Sequence, residues 1–499
     1  MKFEYCTLFK DVQLSGIFAD SKVFADAIPK SSWANAQQAY EQLDLPMDSE
    51  ALRRFVDAHF TFAAQPELQA LGELNSVAKY IKTLWPKLQR TAFNTTNNSL
   101  LTLEHDYVVP GGRFNEIYYW DSYFTALGLE DSGNVALIEA MVENFVSLIA
   151  RYGCVPNGNR IYYTSRSQPP VLALMIKLLL PYKKSDTKWL ERMVEAMRQE
   201  HRFWHQGEEQ LAQNNSAHRR VVKMFNGMQL NRYWDDKPEP RPESYAEDIT
   251  DANKLPQPQR ESFFRNIRAA CESGWDFSAR WLDDPTSLLS INTTNRVPVD
   301  LNALLYLLEG TLAQCLTMLD ETTHADAFQK RAQLRKKAIE QLLWSDEHNW
   351  FCDYDLANNK RSEVLSLAGC VPLYAGIASV QQAQLIGEQL NSKFLRQGGL
   401  VSCLSKTSQQ WDSPNGWAPL HWFAIKGLRD YGQFELAQTI ALRWLNMVKQ
   451  DFVTRHCLLE KYNVCEPQKT AGGGEYQVQQ GFGWTNGVTS RLQKLYNDC

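Results

Sequence analysis

What this chain lacks excludes several classes of protein before any motif is read. Its 499 residues hold 10 cysteines but no Cys-x-x-Cys pair, which excludes a zinc knuckle and a thioredoxin-like redox motif. No apolar run is long enough to cross a bilayer, so no membrane partner is expected. The start, Met1 to Cys6, is without the hydrophobic stretch of a secretory leader, and the expectation is a cytoplasmic protein with reduced thiols. A net charge of -5 leaves no basic stripe to neutralise phosphates, which excludes nucleic acid as the main partner. Nucleotide and acyl-transfer motifs are missing too. No Walker lysine follows a Gly-rich loop, Gly472 to Gly474 lacks dinucleotide-fingerprint spacing, and Ser366 to Cys370 is no nucleophile elbow.

Strand-like alternation is also scarce, and no Pro/Gly/Ser-rich linker divides the chain. What remains is helical. Val135, Leu137, Ile138, Met141, Val142, Phe145, Leu148 and Ile149 form one broad apolar face with Glu139 and Glu143 opposite. Similar segments recur near 170–181, 188–205, 260–270, 299–319, 325–344, 364–375, 380–391, 417–429, 433–449 and 486–496, with no shared short period, so a solenoid is not expected. Helices of this number, joined by long polar-aromatic connections, can close into a ring of hairpins whose loops line one mouth. We treat residues 1–499 as one domain, with about the first hundred clasping its main body.

The connections carry the chemistry. Pro110 to Tyr123 combines a Pro-Gly-Gly turn, Arg113, Glu116, Asp121 and five aromatics. Such a mixture suits a sugar, whose apolar faces stack on rings while its hydroxyls pair with acids, amides and guanidinium groups. The plain alternative is a buried aromatic cluster after a turn. Asn157 to Pro170, Arg241 to Tyr245, Glu272 to Trp281, Gln410 to Trp417, Leu459 to Tyr462 and Gly472 to Tyr476 share this character. Around Pro242 an extended backbone would point Arg241 and Glu243 to one side.

Cleaving a glycosidic bond takes one protonated and one ionised carboxyl group. Asp276 lies between Trp275 and Phe277, a desolvating setting that raises a carboxyl pKa, while Glu460 precedes Lys461, a setting that suits an ionised base. Equally, an Asp beside Trp caps helices, and Glu-Lys is a common surface pair. Among 57 acids these local features alone do not select the two. His201 and His205, four apart on a helix, offer a metal pair, but an exposed pair is the commoner case; Asp235-Asp236 and Asp283-Asp284 could hold magnesium but read first as solvated turns.

The combination carries a resemblance. Pro110-Gly111-Gly112-Arg113-Phe114-x-Glu116-x-Tyr118-x-Trp120-Asp121 resembles the first signature of the trehalase family, and Gln410-Trp411-Asp412-x-Pro414-x-Gly416-Trp417-x-Pro419 resembles its second. Gly472-Gly473-Gly474-Glu475-Tyr476 is similar to that family's Gly-rich run, with Ala471 where the run is often one glycine longer. The resemblance implies an all-α fold, an (α/α)6 barrel with its active site in loops at one mouth. It also implies inverting hydrolysis of α,α-trehalose to two glucose molecules, without metal or cofactor. By the family's motifs Asp276 is the general acid and Glu460 the general base. Arg113, Trp120, Asp121, Asn157, Arg166, Gln168, Arg241, Glu243, Gly274, Trp411 and Glu475 are the implied sugar-binding positions. The expected partner is a small disaccharide, trehalose, taken up by a monomer resembling a bacterial cytoplasmic member. Another inverting α-glucosidase on the same barrel, or a trehalose-binding regulator without activity, are the competing expectations.

Overall fold

Helices that are apolar all round must be enclosed, and helices apolar on one face must lie over them. This chain contains both kinds, and a computed structural model, which describes residues 6–44, 46–62, 76–92, 98–183, 185–211 and 216–496, sorts them into two rings. The inner helices are Tyr119–Asp131, Leu172–Leu179, Val299–Met318, Val371–Tyr374, Ala418–Asp430 and Gly483–Tyr496. Each packs on the next, and the last packs on the first, so the ring is closed. Helices with one buried face alternate with them along the chain: Val77–Leu88 ahead of the first, then Val135–Tyr152, Thr187–Trp204, Thr322–Leu342, Val380–Gln389 and Phe434–Arg455 between them. The architecture is an (α/α)6 barrel. Strands are confined to short antiparallel ladders, such as Ser216–His218, Val221–Lys223 and Gln229–Asn231. One of these ladders, Asn415–Gly416 with Tyr462–Asn463, ties two of the aromatic connections together.

The expected helices are present, with two instructive differences. Tyr119–Asp131 starts inside the Pro110 to Tyr123 stretch read as a connection, and no helix was expected there: every residue from Tyr119 to Leu129 is buried, so the helix has no polar face and shows no amphipathic period. The segment expected near 364–375 is a 3-10 turn, Leu367–Cys370, followed by one helical turn that Pro372 opens.

Residues ahead of the barrel form the helices Thr7–Leu14, Ser21–Ala25, Trp33–Glu41 and Ser49–His59 around a second apolar cluster, which includes Tyr118, Tyr162, Tyr163 and Tyr245 of the main body. Gln13 donates to the Pro242 carbonyl at 3.1 Å, Ser21 to Glu247 at 2.7 Å, and Lys22 pairs with buried Glu116 at 2.5 Å. Residues 1–5, the basis of the leader reading, lie outside the described residues.

The seam between the first and last inner helices is made by glycine. A Cβ on Gly128 would sit 2.7 Å from the Gly487 Cα, and one on Gly487 would sit 2.0 Å from the Phe124 carbonyl oxygen. Gly487→Ala is therefore expected to destabilise the protein by about 1–3 kcal/mol or more, the usual cost of overpacking. Gly310→Ala, where a Cβ meets nothing within 4 Å, should be neutral or stabilising. Thermal melts of the two variants side by side check the contrast.

Candidate active site

The connections leading into the inner helices, apart from the one into Val371–Tyr374, supply residues to one cavity. The turn at Gly111 and Gly112 has φ of 107° and 59°, and a side chain on Gly112 would strike Gln479 at 2.3 Å, so the Pro-Gly-Gly sequence is what this corner requires. Arg113 follows, its guanidinium on Asp20 at 2.5 Å and 4.6 Å above the Tyr476 ring. The chain then pairs with the next connection: Ile117 N donates to Asn159 at 2.8 Å, and Trp120 N, in the first helical turn, donates to Gln168 Oε1 at 3.1 Å.

Arg166 is buried between Asn157, which accepts from its Nε at 3.0 Å, and Glu243, which accepts from Nη2 at 2.5 Å. Arg241 is gripped by Asp248 at 2.6 Å and Glu475 at 2.8 Å. Pro242–Ser244 is a 3-10 turn rather than the extended segment expected, yet Arg241 and Glu243 both reach the same cavity. Gly274, at φ 74°, leaves no room for a side chain, since a Cβ would touch Trp120 at 3.0 Å. Trp411 stacks on Trp417 at 3.9 Å and on Trp275 at 5.0 Å, forming an aromatic wall.

These groups surround one concave cavity, lined by aromatic rings and a few convergent polar groups as ligand pockets are. Every residue named from the sequence as acid, base or sugar-binding position lines it. Among the buried atoms of its lining residues, Arg113 Nε, Arg166 Nη1, Glu243 Oε2 and Trp411 Nε1 have no hydrogen-bond partner, which leaves two cationic donors, an indole donor and a carboxylate acceptor unsatisfied at the cavity.

The two candidate catalytic carboxyls have different surroundings. Burial pushes Asp276 up to about 7, and the negative charge of Glu475 adds to it, with Arg241 opposing. Both oxygens of Glu460 accept hydrogen bonds instead, from Tyr476 Oη at 2.8 Å and Gln479 N at 3.1 Å, and Lys461 Nζ stands 4.0 Å away. Asp121 is pushed well above the ordinary carboxylate range by burial, and Glu460 and Asp276 reinforce the shift. A neutral Asp121 can donate as well as accept.

Other expectations resolve differently. Glu116 does not face the cavity; burial raises its pKa, but Lys22 and Arg160 more than reverse this and hold it at about 2. His201 and His205 are not an exposed pair: they stack 3.8 Å apart beside buried Glu309. Arg335 already donates to both Glu309 oxygens, at 3.0 and 2.8 Å, and to His205 Nε2 at 3.3 Å, so a cation is seated among those ligands. Asp235 is likewise no solvated turn, being buried against Arg268 at 3.0 Å. Lys22 lines the cavity from a segment that gave no signal in the sequence. Phe482 and Trp484 line it too, and the aromatic-glycine alternation Gly481-Phe482-Gly483-Trp484 is the signal that marks them.

A trehalase family model matches residues 16–497. The chain belongs to the trehalase family. It is 44% identical over 489 residues to a periplasmic trehalase of Salmonella schwarzengrund, covering 98% of this chain and 85% of the relative, and equally similar to one of Salmonella dublin. Among solved structures it resembles neutral trehalase Nth1 from Saccharomyces cerevisiae, with a TM-score of 0.64 and 28% identity over 84% of this chain and 79% of that one. The GH63 mannosylglycerate hydrolase of Thermus thermophilus shares the fold, with a TM-score of 0.56 at 18% identity over 84% of this chain and 100% of that one. These trehalase relatives correct the expected cytoplasmic location, because those at 44% identity are named periplasmic. The thiol evidence behind that expectation does not report a compartment. Nine cysteines are free among the described residues, and burial pushes thiols such as Cys154 and Cys271 up to about 12, which suppresses the reactive thiolate anywhere.

Arg166 supplies a fork that lysine cannot reproduce. Arg166→Lys should keep the charge beside Glu243 but lose the Asn157 bond, and since a hydrogen bond to a charged group is worth about 1.5–3 kcal/mol, kcat/KM should fall roughly 10- to 100-fold. Steady-state kinetics on the folded variant check this.

Proposed function

We propose that this protein hydrolyses α,α-trehalose to two glucose molecules with inversion at the attacked carbon. The observation that carries the reading is the pair of carboxyls on one cavity in opposed settings, Asp276 raised to about 7 by burial and Glu460 holding hydrogen bonds on both oxygens. Asp276 gives its proton to the glycosidic oxygen as the bond to the anomeric carbon breaks. Glu460 takes a proton from a water that attacks that carbon from the opposite face. Neutral Asp121, the Arg166 and Glu243 pair and Arg113 bind sugar hydroxyls, and the Trp411 side supplies an apolar face for the ring. Arg241 acts on Glu475 and the general acid's surroundings. The N-terminal helices serve as a clasp, delivering Asp20 to Arg113 and Lys22 to the cavity wall.

In α,α-trehalose both anomeric carbons are α, so inversion at one releases one β- and one α-glucose. Proton NMR in the first minutes, before mutarotation, should show near-equal anomer signals; almost pure α-glucose would refute inversion and recast Glu460 as a nucleophile. A panel of maltose- and kojibiose-type sugars tests substrate choice, and preferential cleavage of one of those would replace trehalose as the substrate.

Two further outcomes follow from the assigned roles. Asp276→Asn and Glu460→Gln should each fold normally and lose about 10²- to 10⁴-fold in turnover. Asp276 must be protonated to act as an acid, and a group raised to about 7 is protonated below that pH, so kcat/KM should decline as pH rises through about 7. A profile flat to pH ~9 would remove Asp276 as the acid.

A further inference from the structure

Behind the cavity wall, and not lining it, two buried polar residues connect the loop that carries Asp276 to the one that carries Glu460. Gln410 is 1% exposed and Lys461 is fully enclosed. Gln410 Nε2 donates to the Asp276 carbonyl oxygen at 2.5 Å, and Gln410 Oε1 accepts from Lys461 Nζ at 2.5 Å. Lys461 is the neighbour of Glu460 in the chain, and its ammonium also lies 5.1 Å over the Trp417 ring and 5.4 Å over Tyr476. Gln410 itself is fixed from behind, its carbonyl accepting from Asn415 Nδ2 at 3.0 Å and Trp417 Nε1 at 3.2 Å. The Gly-rich run packs on it so closely that a Cβ on Gly474 would stand 2.8 Å from Gln410 Oε1.

We propose that Gln410 and Lys461 act together as a strut that sets the separation of Asp276 from Glu460, positioning residues for the hydrolysis rather than groups that touch the sugar. This rests on the acid and base roles proposed above. The chemistry of the strut selects its residue types. A planar amide presents a donor at one end and an acceptor at the other, which is what a carbonyl oxygen and an ammonium demand. A carboxylate at 410 would set an oxygen against the Asp276 carbonyl, and an apolar side chain would leave the enclosed ammonium without its hydrogen-bond acceptor. The acid and base lie 184 positions apart in sequence (460 minus 276), so no local geometry fixes their gap. Inversion needs that gap at roughly 6.5–9.5 Å to admit a water, and a misplacement of about 1 Å costs on the order of 100-fold in rate.

The test is a double-mutant cycle on the full chain with trehalose as substrate. Gln410→Met and Lys461→Met should each lower kcat roughly 10- to 100-fold with KM within about threefold of wild type, and the double variant should be no worse than the poorer single one, because both break the same connection. Wild-type kcat in either single variant overturns the strut, as does a loss carried by KM or losses that multiply in the double variant. Should Gln410→Met fail to fold, Gln410→Glu keeps the shape and the Lys461 contact while removing the amide donor to Asp276, and the same drop in kcat is expected; wild-type kcat there overturns the proposal equally. Asp276→Asn and Glu460→Gln, measured alongside, separate the two levels. Activity retained in those variants would sink the acid and base reading itself, whereas their inactivity beside fully active strut variants would sink the strut alone.

Discussion

The contact between the first and last inner helices is the constraint on which the rest of the structure depends. Tyr119–Asp131 and Gly483–Tyr496 approach until Gly128 and Gly487 meet backbone to backbone, and that approach turns a row of hairpins into a closed barrel. Closure also brings the starts of these two helices to the same cavity. Because Trp120 and Asp121 open one of these two helices and Phe482 and Trp484 stand at the start of the other, residues more than 350 positions apart share a wall of the cavity.

That cavity is dense with charge that water does not reach, and its energetics follow from this. Arg166, Arg241, Glu243 and Asp248 are all buried, and each has an opposite partner at hydrogen-bond distance. Such pairs contribute little net stability, because desolvation offsets their attraction, but removing one partner typically costs about 3–5 kcal/mol. They are better understood as rigid placement of polar groups around a ligand. Asp276 and Asp121 lack such a close cationic partner, and burial shifts both toward the neutral form; Asp248 also shifts that way, up to about 6, because its burial outweighs the pull of Arg241. Pairing and desolvation within one cavity thus give acidic side chains opposite protonation preferences.

The segments that carry the chemistry were readable in advance because a sugar site needs rings and polar forks side by side, a mixture neither a core nor a solvated loop favours. Arg166 with Asn157, Arg241 with Glu243, and the Trp411 region all carried that mark. Lys22 did not: it comes from the N-terminal helices and reaches the cavity only because the second apolar cluster seats them against Tyr118 and Tyr163. The helix Tyr119–Asp131 was hidden for the opposite reason, since complete burial erases the periodicity by which helices are recognised. His201 and His205 looked like a surface pair because nothing in their own segment announces Glu309 and Arg335.

By itself, the sequence determined the helical class, the polar-aromatic connections and the family, because side-chain periodicity, composition and signature order are local properties carried along the chain. Only the tertiary structure decided which connections face one another, that Asp276 is desolvated beside Glu475 while Glu460 is hydrogen-bonded by Tyr476 and Gln479, and that Gln410 spans the space between their loops. The physical reason is that protonation and spacing depend on distances through space, and in a closed barrel those distances are set by how the ring is packed, not by separation along the chain.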